Sequence, residues 1–129
     1  MIYVDTSVVL AHLLGEDRFP TAQLWSESLV SSRLMQYELF VRLHGRGLTK
    51  THTDAAQTLI GRFAMVELSP PVLARALDPF PAPLRTLDAL HLASIEFLRA
   101  QGLRIELLTY DARMLDAARA LRIPLAAFD

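Results

Sequence analysis

Met1-Ile2-Tyr3-Val4-Asp5-Thr6-Ser7-Val8-Val9-Leu10 opens the chain, and its reading sets the architecture. The apolar run over residues 1–4 has the length and composition of a strand. Asp5-Thr6-Ser7 then supplies side-chain oxygens suited to cap a helix, and Val8, Val9, Leu10, Leu13 and Leu14 continue at helical spacing up to Gly15. Strand, cap and helix thus follow one another directly, and the same order recurs further along. A second helix is expected over 21–29, entered through Pro20, with a brief strand at 29–31. Ser31 or Ser32 then caps a helix whose apolar positions Leu34, Met35, Leu39, Val41 and Leu43 stop before Gly45 and Gly47.

The spacing predicts another helix from Thr53 or Asp54 through Ile60, an apolar run over 64–68, and a helix starting at Val72 after Ser69-Pro70-Pro71. Asp78-Pro79-Phe80-Pro81-Ala82-Pro83 carries three prolines in six residues and excludes regular structure. Thr86 is placed to cap the clearest helix, along which Leu87, Leu90, Ser94, Phe97 and Leu98 recur until Gly102. A buried strand at 105–109, a helix at 112–121 and a last strand at 123–128 complete the pattern, with no internal repeat. Short apolar strands alternating with helices imply the α/β class: a parallel sheet sandwiched between helices, as α/β/α. At 129 residues the expectation is a single domain, 1–129.

Composition narrows the chemistry. Apolar residues make up 52% and charged residues 21%, and mean hydropathy is positive, which excludes a disordered chain. No apolar run approaches the ~20 residues of a membrane span, and no basic stretch precedes the first apolar one, so a cytoplasmic location with no membrane partner is expected. The absence of cysteine excludes disulfides, thiolate zinc sites and thiol nucleophiles. A formal net charge of -1 argues against a polybasic coat. Lys50 is the only lysine among 13 basic residues; guanidinium suits bidentate phosphate contacts, although a composition bias explains the imbalance equally well.

In parallel α/β sheets ligands gather outside the carboxyl ends of the strands, so acids just after strands are the ones to inspect. Asp5 follows the first strand, Asp111 follows the strand near Thr109, Asp88 lies in the first turn of the clearest helix, and Glu38 lies within the helix after the second strand. Each has a purely structural explanation. Acids at helix starts favour the helix dipole by about 0.3–1 kcal/mol, and Glu38 with Arg42 at i and i+4 forms an exposed ion pair worth about 0.2–0.5 kcal/mol. Together, however, several carboxylates on one rim would repel one another unless a pKa rises or a cation arrives. Oxygen donors of this kind favour Mg²⁺ or Mn²⁺, which acidify water and hold phosphate oxygens, so the chemistry points to phosphodiester hydrolysis.

Val4-Asp5-Thr6-Ser7, Glu38, Arg85-Thr86-Leu87-Asp88-Ala89-Leu90-His91-Leu92-Ala93 and Leu108-Thr109-Tyr110-Asp111 resemble the four blocks of the PIN-domain nucleases. Among these, the short chain resembles the VapC toxins of bacterial toxin–antitoxin pairs, and the likeness covers the whole length. The resemblance implies a PIN-like fold and a Mg²⁺- or Mn²⁺-dependent endoribonuclease, usually homodimeric and inhibited by a cognate antitoxin. It implies Asp5, Glu38, Asp88 and Asp111 as the catalytic, metal-holding acids. Thr6 or Ser7 would orient Asp5 or a bound water, and Thr109 would act likewise beside Asp111. The stretch before Glu38, Ser32 to Tyr37, matches more loosely than the other blocks.

Arg42, Arg46 and Arg85 are candidates for contacts to RNA phosphates, with solvated ion pairing as the plainer alternative. His91, three residues after Asp88, reads as a hydrogen-bonded core imidazole rather than a ligand, since it lies within the apolar stretch 90–93. His12, His44 and His52 have no partner at metal spacing. Asp116 reads as a helix-surface acid. Trp25, Phe19 and Tyr37 could form a base-stacking platform, but packing in a core or dimer is the more ordinary use. Two other functions compete: a receiver-like Mg²⁺-binding phospho-acceptor domain, which would need a lysine after a late strand, and a catalytically silent PIN-like binding module. Lys50 lies in a polar stretch before a helix, which weighs against the receiver.

Overall fold

The computed structural model describes all residues, Met1–Asp129. Four short strands, β1 (Ile2–Val4), β2 (Leu29–Ser32), β3 (Ala64–Val66) and β4 (Glu106–Leu108), form one parallel sheet in the order β3-β2-β1-β4. Six helices surround it: α1 (Thr6–Leu14), α2 (Arg33–Gly45), α3 (Thr49–Ile60), α4 (Pro70–Leu77), α5 (Thr86–Ala100) and α6 (Ala112–Ala120).

Strand side chains alternate between two cores, as the period of a strand requires. Ile2, Val4, Leu29 and Leu108 pack with Val8, Met35, Leu39 and Leu59 beneath α1, α2 and α3. Tyr3, Val30 and Leu107 pack on the other face with Val72, Leu92, Ile95, Met114 and Ala117 beneath α4, α5 and α6. The expected α/β/α sandwich is therefore the observed one. Its strand order also differs from the 2-1-3-4-5 order of receiver-like sheets, which removes that alternative.

Local chemistry explains the element ends. Gly15 terminates α1 at φ 62°, its N–H directed to the carbonyls of Ala11 and His12. Ser32 caps α2 by accepting the Leu34 N–H at 3.0 Å. α4 begins at Pro70, two residues before the Val72 start expected from sequence, because Pro70 and Pro71 fit the first turn, where no N–H is needed.

Four other expectations are corrected. The helix foreseen over 21–29 is a short 3₁₀ turn, Ala22–Ser26. α3 begins at Thr49, earlier than Thr53 or Asp54, because Thr53 bonds back to the Thr49 carbonyl within the helix instead of capping it. The cap position of α5 is Arg85, and Thr86 is already helical. Residues 123–128 form no strand. Pro124 lacks an N–H, and this segment makes only one bridge, Leu125 beside Leu107.

From β1 the chain moves outward to β2 and β3, then returns past β1 through α5 to β4 on the far side. The strand order thus reverses between β1 and β4. A crevice at the carboxyl ends of those two strands is where such sheets hold ligands.

Candidate active site

Asp5 directly follows β1 at the start of α1, and Asp111 sits at the start of α6, three residues beyond the end of β4. A cleft of about 520 Å³ is lined by Asp5, Thr6, Ser7, Glu38, Asp88, His91 and Asp111, and also by Glu16, Arg42, Arg46 and Arg85. All four acids picked from sequence therefore line one cleft, and so do all three arginines.

The structural explanations for the acids separate at this point. Asp5 occupies the N-cap position of α1 but caps nothing. Its Oδ2 instead accepts from Ser7 Oγ at 2.7 Å and from Thr109 Oγ1 at 2.8 Å. Both hydroxyls are themselves anchored: Ser7 Oγ accepts the Tyr110 N–H at 3.1 Å, and Thr109 Oγ1 accepts the Asp111 N–H at 3.0 Å. Asp111 does cap, its Oδ1 accepting the N–H groups of Arg113 and Met114, so its helix-start role is real. Thr6 orients Glu38 rather than Asp5, donating to Glu38 Oε1 at 2.9 Å.

Asp88 differs from the other three. Its Oδ2 is buried and has no hydrogen-bond partner. Burial, then repulsion from Asp111 and Asp5, pushes its carboxyl above the usual 3.8. An orphaned carboxylate oxygen facing other negative groups is an environment that favours a cation.

Glu38 forms no ion pair with Arg42. It bonds instead to His91, whose Nε2 lies 2.6 Å from Glu38 Oε1. His91 is 2% exposed, as a core imidazole should be, yet it also lies 3.6 Å from Asp5 Oδ1 and lines the cleft. Burial alone would lower its pKa. The bond to Glu38 and the charges of Asp5, Glu38 and Asp88 overcome this and raise it. The sequence signal was its place three residues after Asp88, one turn along the same helix. Glu16 was also missed; it follows the Gly15 terminator, which turns the chain at the cleft.

Arg42, Arg46 and Arg85 are exposed at the cleft and form no ion pair. Asp116 pairs with Arg119 on the surface. No aromatic platform forms: Trp25 packs edge-on against Phe63, while Tyr37 at 65% and Phe19 at 56% exposure line separate grooves.

No group of three His, Asp or Glu side chains converges into a ready-made metal cage. Mg²⁺, however, keeps several waters and commonly takes only one or two carboxylates directly. The all-oxygen donor set and the orphaned Asp88 Oδ2 fit a hydrated hard cation of that kind.

The PIN domain family model matches residues 2–121. Ribonuclease VapC47 of Mycobacterium tuberculosis (strain CDC 1551 / Oshkosh) is 31% identical, over 92% of this chain and 90% of its own. Ribonuclease VapC46 of Mycobacterium tuberculosis (strain ATCC 25618 / H37Rv) is 30% identical, over 98% and 96%. A solved toxin-antitoxin complex from Klebsiella pneumoniae shares the fold at a TM-score of 0.66 and 15% identity, covering 89% of this chain and 90% of that one. With the strand reversal, the acids at its crevice and a match over nearly the whole length, the chain belongs to the PIN-domain family and is of its VapC type.

Proposed function

We propose that this chain, folded as one PIN-like unit over 1–129, is the endoribonuclease toxin of a toxin–antitoxin pair and hydrolyses RNA phosphodiester bonds with Mg²⁺ or Mn²⁺. One observation carries the reading: the four acids Asp5, Glu38, Asp88 and Asp111 and three unpaired arginines line a single cleft where the strand order reverses. The names of the relatives, Ribonuclease VapC47 and Ribonuclease VapC46, support it.

In this reading the four acids hold the cation. When bound, Mg²⁺ or Mn²⁺ supplies Lewis-acid chemistry, neutralising phosphate charge and acidifying water for in-line attack. Ser7 and Thr109 fix Asp5 by donating to one oxygen, Oδ2. The Asp111 backbone N–H is tied to Thr109, so the chain after β4 is held to the chain after β1. Arg42, Arg46 and Arg85 bind the RNA backbone; such contacts position a strand without reading its bases. Their positive charge draws a polyanion toward an acidic cleft that would otherwise repel it.

The decisive experiment is RNA cleavage by the purified protein with Mg²⁺ or Mn²⁺. Asp5→Asn and Asp88→Asn are expected to lower the rate at least about 100-fold, and EDTA to abolish it. Full cleavage in EDTA, or by either variant, overturns the mechanism. Growth arrest retained by Asp111→Ala would turn the reading toward a non-catalytic binding module.

A cognate antitoxin, a homodimeric assembly and a cytoplasmic location belong to the same proposal. No helix is long and apolar enough to cross a membrane. By analogy with the family, an antitoxin would place a basic side chain into the acidic cleft, and co-purification with the product of a neighbouring gene tests this. Light scattering of the isolated chain tests the dimer.

A further inference from the structure

We propose that His91 is a positioning residue that fixes the Glu38 carboxylate for a divalent cation; the proposal rests on reading the cleft as a metal site. Of the four acids, Glu38 has the longest side chain, and holding it in one rotamer costs the most conformational freedom. Its neighbours show what holds it. Glu38 Oε1 receives two contacts, from His91 Nε2 at 2.6 Å and from Thr6 Oγ1 at 2.9 Å, while Oε2 takes neither.

An ionised carboxylate only accepts hydrogen bonds, so Nε2 must carry the hydrogen in this contact. The opposite ring nitrogen is held as well: the Tyr3 hydroxyl lies 2.7 Å from Nδ1, with the rings nearly perpendicular at 83°. Tyr3 is fully buried in β1, which pairs on both sides within the sheet, so the imidazole is braced against the sheet itself. The line from Tyr3 through His91 to Glu38 joins β1, α5 and α2 by side chains alone.

A histidine used only for packing needs a single partner, often a backbone carbonyl. His91 instead spends both nitrogens on side chains, and one of these is an acid of the cleft. It does for Glu38 what Ser7 and Thr109 do for Asp5. Groups that orient metal-holding carboxylates in this way affect metal affinity about 10- to 100-fold when removed.

The test is calorimetric titration of Mn²⁺ into the metal-free protein. His91→Leu, which removes the donor, is expected to weaken Mn²⁺ binding about 10-fold or more while keeping the parent's circular dichroism spectrum. His91→Gln, whose amide N–H replaces the Nε2 hydrogen, is expected to recover most of the affinity. In a Glu38→Ala background His91→Leu is expected to add no further loss. Parent-like affinity in folded His91→Leu overturns the proposal, as does a loss that persists undiminished in the Glu38→Ala background. If His91→Leu fails to fold, ¹⁵N resonances of the imidazole decide: a protonated Nε2 whose signal moves in Glu38→Ala supports the role, and an unmoved one overturns it. A parent protein that binds no Mn²⁺ overturns the metal reading itself, so the two failures are distinct.

Discussion

Thr109 joins two strands through a single oxygen. Its hydroxyl donates to Asp5 Oδ2 and accepts the Asp111 N–H, and it is buried. Thr109→Val keeps the shape and removes both bonds, leaving the part-buried Asp111 N–H without its partner. The expected cost is about 1–3 kcal/mol in urea unfolding, with cleavage falling as well because Asp5 loses one of its two donors. Asp88 carries the opposite sign. Because its folded pKa lies above the ordinary 3.8, the metal-free folded state holds the proton more tightly than the unfolded chain. That contribution favours folding below pH 3.8, is lost as pH rises through the folded value, and leaves ionised Asp88 as a cost at neutral pH. In EDTA at pH 7, Asp88→Asn is therefore expected to melt higher than the parent while losing cleavage, and a lower Tm would contradict the assigned cause. The acids were legible because type and position coincide: each follows a strand or opens a helix, apart from Glu38. His91 was less legible because sequence gives its apolar neighbours but not the Tyr3 hydroxyl and Glu38 carboxylate that meet it from elements 88 and 53 residues away.

α2 carries Glu38 to the cleft, and one serine sets where that helix starts. Ser32→Ala is expected to cost about 1 kcal/mol through loss of the cap to the Leu34 N–H, measurable as a lowered Tm. Helices with a cap and a clear apolar stripe were readable in this way. α3 was read late because its first turn, Thr49 to His52, is polar and its buried residues, Ala56 and Leu59, come only at the far end. The segment over 123–128 looked like a strand because it is apolar, yet the structure gives it one bridge. Its real bonds are the Leu107 N–H to the Pro124 carbonyl and the Ala126 N–H to the Leu107 carbonyl. Apolar composition reports burial, whereas pairing depends on available donors, and proline removes one.

Across the whole molecule, the sheet order determines what meets what. β1 lies between β2 and β4, and Leu107 on β4 sits opposite Tyr3, fully buried within the core beneath α4, α5 and α6. Leu107→Ala is expected to cost about 2–5 kcal/mol and, by loosening β4 against β1, to weaken metal binding along with stability; unchanged metal affinity at reduced stability would separate the sheet from the cleft. The sandwich itself was legible from the alternation of short apolar runs and helices. The strand order was not, because nothing local states on which side of β1 the last strand docks. That docking also sets a timetable. During synthesis the ribosome releases Asp5, Glu38 and Asp88 long before Thr109 and Asp111, so a nascent chain lacks one of the two donors that steady Asp5, as well as the fourth acid. Under the proposed function, cleavage by a nascent chain waits until β4 and the start of α6 have emerged and docked beside β1.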